Sequence, residues 1–285
     1  MTHGGPESMT DPLPESRGHV LFSGDDRLEG ILEWPADAGS GGGESAAPAP
    51  ERGAPSPRVA GGIVIAHPHP LYGGTMAQPV VYRVAQACRE HGFGSLRFNF
   101  RGVGRSAGRY SGTEEYRDVE AALAFLKGRL DSRPVESGGP GGPGAPGASA
   151  GAPIEGPPGA RRRLPLGLAG YSFGSVMAAL AAGQGAVPVQ SLALIALVVD
   201  WEELPPGTLD VLGRFRGPVL ALCGDLDDLA PPAVVEKALH GLGVDFRLEV
   251  LAGTGHFFEQ RQREVGERVA AFFAETLAGR RITVK

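Results

Sequence analysis

The alternation of short apolar runs with amphipathic segments is the feature that most constrains the fold of this chain. Runs such as 62–66 and 218–224 are continuously apolar, as in strands whose sheet is covered on both faces. Elsewhere apolar residues recur with the helical period, for example Val265, Val269 and Phe272. An opening hairpin followed by alternating strands and helices predicts a mostly parallel α/β sheet. The predicted strands are 19–23, 28–34, 62–66, 95–100, 164–170, 191–197, 218–224 and 246–251, and the predicted helices are 79–91, 114–127, 175–182, 232–240 and 262–278.

Glycine and proline are concentrated in three segments with few apolar residues. The 285 residues include 45 Gly and 25 Pro, and many of these fall in 1–17, 36–58 and 133–160. Such a composition cannot bury enough apolar surface to offset the entropy of ordering the chain. We therefore predict a disordered tail at 1–17 and one domain over 18–285. The other two segments are expected to be surface insertions, since closing a longer loop costs little more.

Charge and hydropathy exclude several classes of partner. Lys and Arg number 27 against 32 Asp and Glu, a formal net charge of −5, whereas a nucleic-acid partner would favour a basic face. The longest apolar run, 192–199, is far shorter than the ~20 residues that cross a bilayer, and the N-terminus lacks the apolar run of a signal peptide. We expect a cytoplasmic protein with no nucleic-acid or membrane partner. Cys88 and Cys223 lie in apolar runs and are expected to be core residues.

The pattern G-x-S-x-G indicates a candidate nucleophile, but only in one of its contexts. It occurs at 104–108, 147–151 and 170–174. A nucleophile elbow needs a buried strand running into the first glycine and a helix starting directly after the serine. Only Ser172 has both, because Ser149 lies in a low-complexity insertion and Ser106 follows its strand at a distance. The alternative for Ser172 is a tight strand–helix turn without chemistry.

Two further loops supply partners that such a serine needs. A serine hydroxyl is a poor nucleophile unless a base takes its proton and an acceptor orients that base. The strand at 218–224 leads into a loop with three candidate acids, and the next strand leads into a glycine-flanked His256. Carboxyl ends of parallel strands meet at one edge of a sheet, so these loops should meet Ser172. The candidate acids are Asp225, Asp227 and Asp228.

The loop after the strand at 62–66 is a candidate for one side of an oxyanion hole. This loop usually donates one backbone N–H, and the residue after the nucleophile, here Phe173, donates the other. Pro68 and Pro70 have no N–H, so His69 or Leu71 must donate, and we favour Leu71. His67 and His69 also form an H-x-H pair, which supplies too few ligands for a metal site by itself.

Five segments together resemble the α/β-hydrolase superfamily, most closely a group of bacterial dienelactone-hydrolase-like proteins. They are HPHPLYGGTM (67–76), LRFNFRGVGRSAG (96–108), LAGYSFGS (168–175), GDLDDLAPP (224–232) and GTGHFF (253–258). The resemblance covers about residues 18 to 280, apart from the two insertions. It implies an α/β-hydrolase fold with eight strands, the second antiparallel, and Asp227 as the acid. It also implies that Ser106 belongs to a structural turn.

The stretch at 198–217 is too short to hold the helical cap that many members of the superfamily insert there. We therefore expect an open site without a large cap domain. Trp201 and Tyr72 are candidates for its border.

These observations favour a serine hydrolase that cleaves a carboxylic ester or related acyl bond through an acyl-enzyme. Ser172, Asp227 and His256 would be catalytic, Phe173 and Leu71 would hold the oxyanion, and the partner would be a small-molecule acyl substrate without cofactor or metal. Three alternatives remain. They are a dinucleotide-binding protein that uses the glycine-rich loop 102–108, a metal hydrolase that uses His67, His69, Asp227 and His256, and a catalytically silent binding protein with a hydrolase fold.

Overall fold

The structure, a computed structural model, describes residues 18–35, 59–133, 163–200 and 207–277. The predicted tail at 1–17 and the predicted insertion at 36–58 lie outside the described residues, as does the insertion at 133–160 apart from Arg133. Trp201 also lies outside them. The predicted domain limits therefore stay a prediction.

Eight strands form a single mostly parallel sheet, which confirms the predicted fold class. The order across the sheet is β1-β2-β4-β3-β5-β6-β7-β8. β2 pairs antiparallel with β1 and with β4, and every other pairing is parallel. The strands are β1 His19–Ser23, β2 Arg27–Glu33, β3 Gly61–Ala66, β4 Phe93–Phe98, β5 Leu166–Tyr171, β6 Ser191–Ile195, β7 Val219–Gly224 and β8 Phe246–Leu251.

Helices cover both faces of the sheet, as the continuous apolar strands require. Gly62 in β3 faces Leu126 and Leu130 of α2. Gly167 in β5 pairs with the next residue of β3 and therefore faces the other side of the sheet, where it meets Phe273 of α5. α5 packs against α1 on its side of the sheet, and α2 packs against α3 on the other. The helices are α1 Pro79–Glu90, α2 Tyr116–Asp131, α3 Phe173–Gln184, α4 Pro232–Leu242 and α5 Gln262–Leu277, with 3-10 helices at Pro70–Tyr72 and Thr208–Arg214.

Two strands, β4 and β6, end two residues earlier than their apolar runs predict, and both ends have a local cause. β4 stops at Phe98 rather than at residue 100, and the Phe100 N–H donates to the imidazole of His67 instead of to a neighbouring strand. β6 stops at Ile195 because Ala196 takes a positive φ of 49° and turns the chain. Both ends lie at the edge of the sheet where the candidate site residues meet.

Helix α2 begins later and ends later than the periodicity predicts. Ser111 and Glu115 form a local network, in which the Glu115 carboxylate accepts from the Ser111 N–H at 2.6 Å and Ser111 Oγ accepts from the Glu114 N–H. This network holds the chain in turns up to Glu115. At the other end, Lys127 and Asp131 form an ion pair one helical turn apart, which supports the final turn.

Among the described residues between β6 and β7, the 3-10 helix Thr208–Arg214 is the only helical element, so no multi-helix cap stands there. In the described part of the chain, no helix combines the length and the apolar character needed to cross a bilayer. Cys88 and Cys223 are both buried and unbridged, in agreement with their predicted place in the core. Burial raises the pKa of both thiols, that of Cys223 to about 12.

Candidate active site

Ser172 occupies a strained turn between β5 and α3. Its backbone has φ 54° and ψ −120°, which an L-residue rarely adopts, and its N–H donates to the Ile195 carbonyl at 2.8 Å. A side chain at Gly170 would collide with the Gly174 carbonyl, and one at Gly174 would collide with the carbonyls of β3 and of His67. The two glycines of the motif are therefore steric requirements of this turn. The turn lifts the serine out of the strand and places it at the start of the helix.

The structure brings Ser172, His256 and Asp227 together at the carboxyl edge of the sheet. Ser172 Oγ lies 2.8 Å from His256 Nε2, and His256 Nδ1 lies 2.9 and 3.0 Å from the two oxygens of Asp227. All three residues are buried. Because the carboxylate can only accept, Nδ1 carries the proton and Nε2 is left to accept from the serine hydroxyl. The arrangement can deprotonate the serine during an attack on a carbonyl.

Local hydrogen bonds keep Asp227 ionised. Burial by itself would raise the pKa of this carboxyl. Hydrogen bonds from His256 and from the N–H groups of Ala230 and Leu229 outweigh that effect and hold the pKa below its usual range. Of the other candidate acids, Asp225 accepts instead from the Thr254 N–H and joins the two loops.

The backbone around the proposed oxyanion hole differs from the expectation at one residue. Phe173 begins α3, two residues before the start predicted from the sequence, and its N–H belongs to the positive end of the helix dipole. The Leu71 N–H, however, donates to His69 Nδ1 at 3.1 Å. Leu71 is therefore not a preformed donor, because a neighbouring acceptor already takes its hydrogen. The ring of His69, the other candidate, lies 5.0 Å from the ring of Phe173.

The two histidines of the H-x-H pair hold the loops of the site together. His67 is fully buried; its Nδ1 donates to the Pro68 carbonyl at 2.6 Å and its Nε2 accepts from the Phe100 N–H. Burial lowers the pKa of His67 to about 4, so the ring is neutral. Since His69 Nδ1 accepts, its Nε2 carries the hydrogen that points to Tyr110 Oη, 2.6 Å away. Among the described residues, no group of three or more His, Cys, Asp or Glu is arranged to hold a metal ion.

The glycine-rich loop after β4 is fastened to the sheet rather than open to a phosphate. Ser106 Oγ donates to the Asn99 carbonyl and accepts from the Glu29 N–H, as expected of a structural turn. The Glu29 carboxylate accepts from the Arg105 N–H at 2.6 Å and from the Asn99 amide at 2.7 Å. A protein carboxylate thus already occupies the anion-binding backbone of this loop.

Two tyrosines near the site were missed by reasoning from the sequence. Tyr171 donates from its hydroxyl to the backbone carbonyl of His256 at 2.9 Å and so anchors the loop that carries the imidazole. Tyr110 reaches His69 from the loop after β4. Tyr171 is the variable residue before the serine in the motif, and a tyrosine at that position only weakly indicates a hydrogen bond to another loop of the site. No local pattern marks Tyr110.

A short stretch of this chain is similar in sequence to a curated protein. No family model matches the chain. An uncharacterized protein of Rickettsia prowazekii is 45% identical over 65 residues, which are 22% of this chain and about a quarter (27%) of the length of that relative.

Solved structures match over nearly the whole chain. An α/β serine hydrolase homologue from Coxiella burnetii is 25% identical, with a TM-score of 0.67 over 92% of this chain and 99% of that one. XC6422 from Xanthomonas campestris, an α/β serine hydrolase without a lid, is 23% identical, with a TM-score of 0.65 over 95% and 100%. The esterase Pf2001 of Pyrococcus furiosus is 15% identical, with a TM-score of 0.63 over 96% and 100%.

The sheet order, the strained serine turn and the lidless solved neighbour define an α/β hydrolase fold. The chain has the fold of the α/β-hydrolase superfamily, in agreement with the resemblance of the five motif segments. Its more specific likeness to dienelactone-hydrolase-like proteins stays a prediction.

Proposed function

We propose that the chain is a serine hydrolase that cleaves a carboxylic ester, or a related acyl bond, of a small molecule. Ser172 is the nucleophile, His256 the general base and acid, and Asp227 the group that orients the imidazole. The continuous contact from Ser172 Oγ through His256 to the Asp227 carboxylate carries this proposal. The hydrolases and esterases among the solved neighbours support the same class of reaction.

The reaction proceeds by two acyl transfers. Ser172 Oγ bonds to the carbonyl carbon while its proton moves to His256 Nε2, and the carbonyl electrons move to oxygen. The Phe173 N–H at the start of α3 stabilises that oxyanion, and the backbone of His69 is the proposed second donor in place of Leu71. The alcohol oxygen then leaves with the proton from Nε2. A water then attacks the acyl carbon while His256 Nε2 takes its proton. The bond to Ser172 Oγ breaks, Oγ takes that proton back from Nε2, and the carboxylic acid is released.

Asp227 makes this cycle possible at neutral pH because it remains ionised while the imidazole gains a positive charge. Its lowered pKa and its two backbone hydrogen bonds keep it as an acceptor in one orientation. The cytoplasmic location expected from the sequence remains a prediction beside this proposal.

Replacement of the nucleophile tests the proposal. The Ser172→Ala variant is expected to lose hydrolysis of p-nitrophenyl esters by at least about 10⁴-fold and to lose labelling by a fluorophosphonate probe, because the acyl-enzyme forms on the Ser172 hydroxyl. Steady-state kinetics and mass spectrometry of the labelled chain measure both effects.

Ser106→Ala is the matched control, since it alters the serine of another G-x-S-x-G match. It should retain labelling, although leaving the buried Glu29 N–H without its acceptor should cost about 1–3 kcal/mol of unfolding free energy. Labelling that survives in Ser172→Ala would overturn the assignment. A folded wild-type chain that neither reacts with serine probes nor cleaves esters would instead indicate a catalytically silent binding protein.

A further inference from the structure

The most exposed apolar side chains of the described residues are gathered on the loops that carry the site. Five large apolar residues have 59–81% of their surface exposed, whereas the next most exposed have only 39–42%. All five belong to the loops after β3, β7 and β8. They are Leu71, Tyr72, Leu226, Leu229 and Phe257, which we call the apolar rim. Exposed apolar groups concentrated in this way mark a binding surface.

Four members of the apolar rim contact residues of the site or of the loops that carry it. The Phe257 ring stands perpendicular to that of His256, with centroids 5.5 Å apart. The Leu229 N–H donates to Asp227, and the Leu226 N–H donates to the Thr254 carbonyl in the loop of His256. On the other side, Tyr72 packs on His69, whose ring contacts Phe173. The rim therefore lies beside the loops of Asp227 and His256 on one side and beside His69 on the other.

The chemistry of the proposed function determines which part of a substrate meets Phe257. The leaving alcohol oxygen must receive its proton from His256 Nε2. The alcohol portion of the ester therefore leaves on the side of Ser172 where His256 lies. That side carries Phe257, with Leu226 in the neighbouring loop.

Charges around this part of the rim favour a neutral ligand. Asp225 and Asp228 are exposed and directly precede Leu226 and Leu229, and Glu259 is exposed two residues after Phe257. The loops 67–76, 225–231 and 252–260 contain no Lys or Arg. Carboxylates in loops that contain no Lys or Arg repel an anionic ligand and an anionic lipid surface alike.

We propose that Phe257, together with Leu226 and Leu229, forms an apolar subsite for the alcohol portion of the substrate, and that the substrates are neutral esters of aryl or long alkyl alcohols. This inference rests on the proposed function of the same site. In this proposal these three residues bind a part of the substrate, rather than a membrane or a second copy of the chain.

Acetate esters that differ only in their alcohol test the subsite. Ethyl, hexyl and benzyl acetate all give the same acetyl-enzyme, so differences in kcat/KM report the alcohol portion. With wild-type protein in a pH-stat, benzyl acetate should exceed ethyl acetate by about tenfold or more in kcat/KM. Phe257→Ser should remove most of that preference while fluorophosphonate labelling of Ser172 persists. Leu21→Ser is the matched control, because Leu21 is an exposed leucine in the edge strand β1, and it should leave the preference unchanged.

Several results would overturn the subsite. Equal kcat/KM for the ethyl and benzyl esters would do so, as would a preference that Phe257→Ser leaves intact. Faster cleavage of benzyl hydrogen succinate than of benzyl acetate would refute the neutral class and direct attention to the exposed Arg105 and Arg109. A rate that rises only on an emulsified ester would assign the rim to a lipid surface, and a dimer lost in Phe257→Ser would assign it to a second copy. A wild-type chain that neither cleaves esters nor is labelled by the probe would instead refute the proposed function itself.

Discussion

Asp227 shows how one residue among similar neighbours acquires a distinct environment. It lies in a loop with two other aspartates, yet it is the one whose carboxylate contacts His256. The N–H groups of Leu229 and Ala230 turn the loop around this carboxylate, and Asp225 joins the same loop to Thr254. The difference between the aspartates is therefore one of orientation, since all three have the same chemistry.

Amide substitutions should separate Asp227 from Asp225. Asp227→Asn should lower kcat for p-nitrophenyl acetate by about 10³–10⁴-fold, because an amide can stabilise the wrong imidazole tautomer and cannot neutralise its cation. In Asp225→Asn the amide oxygen can still accept from Thr254, so kcat should fall by less than about tenfold. Kinetics of the two purified variants make the comparison, and equal losses would contradict the role given to Asp227.

At the scale of elements, the loops after β3 and β4 act as one unit through His67. The His67 side chain joins the end of β3 to the first residues after β4. Its ring must be neutral, because Nε2 accepts a hydrogen bond from the Phe100 N–H. Asn99 adds a second link by accepting from the Met76 N–H at 2.8 Å. The backbone proposed to hold the oxyanion is thus supported by a buried polar network.

The lowered pKa of His67 gives this network a signature in acid. The pKa is about 4 in the folded protein against 6.5 for the free side chain, so the unfolded chain binds more protons between these values. The free energy of unfolding should therefore fall as the pH drops from 6.5 to 4, by about 3 kcal/mol from this group, and no further below pH 4.

His67→Gln is a suitable comparison, because a glutamine can donate to Pro68 and accept from Phe100 without titrating in this range. Denaturant titrations at pH 7, 6, 5 and 4 should show a shallower loss of stability in the variant than in the wild type. Parallel pH dependence in the two proteins would show that His67 does not titrate as described.

At the scale of the whole molecule, the sheet and its two helical layers bury the core, while the loops of the candidate site share one edge of the sheet. α2 ends at Asp131 and β5 begins at Leu166. Both elements pack against β3 and α3, so their positions are held by contacts outside the segment that connects them. The predicted insertion between them lies outside the described residues. Its sequence from 136 to 158 contains one large apolar residue, Ile154, so it has little to offer a core.

Deletion of 136–158 is expected to change the melting temperature by no more than about 2–4 °C, since a change of about 1 kcal/mol produces a shift of that size in a domain of 150–250 residues. A variant with a Gly-Ser segment of equal length separates the effect of composition from that of loop length. Differential scanning calorimetry measures all three proteins. A fall well beyond this range in both variants would show that the segment packs against the domain.

The sequence by itself determined the fold class and the loops that carry the candidate site, because both depend on local patterns. The strands predicted at 19–23 and 246–251 have the bounds of β1 and β8 in the structure, and glycines around Ser172 indicated the turn between β5 and α3. Only the tertiary structure decided what each polar group contacts. The Leu71 N–H turned toward His69, and Tyr171 reached the carbonyl of His256, 85 residues away. Such contacts depend on strand register and loop conformation, which bring distant residues within a few ångströms of each other. No local sequence pattern predicts a contact such as that of Tyr171, because its two partners are far apart in the chain.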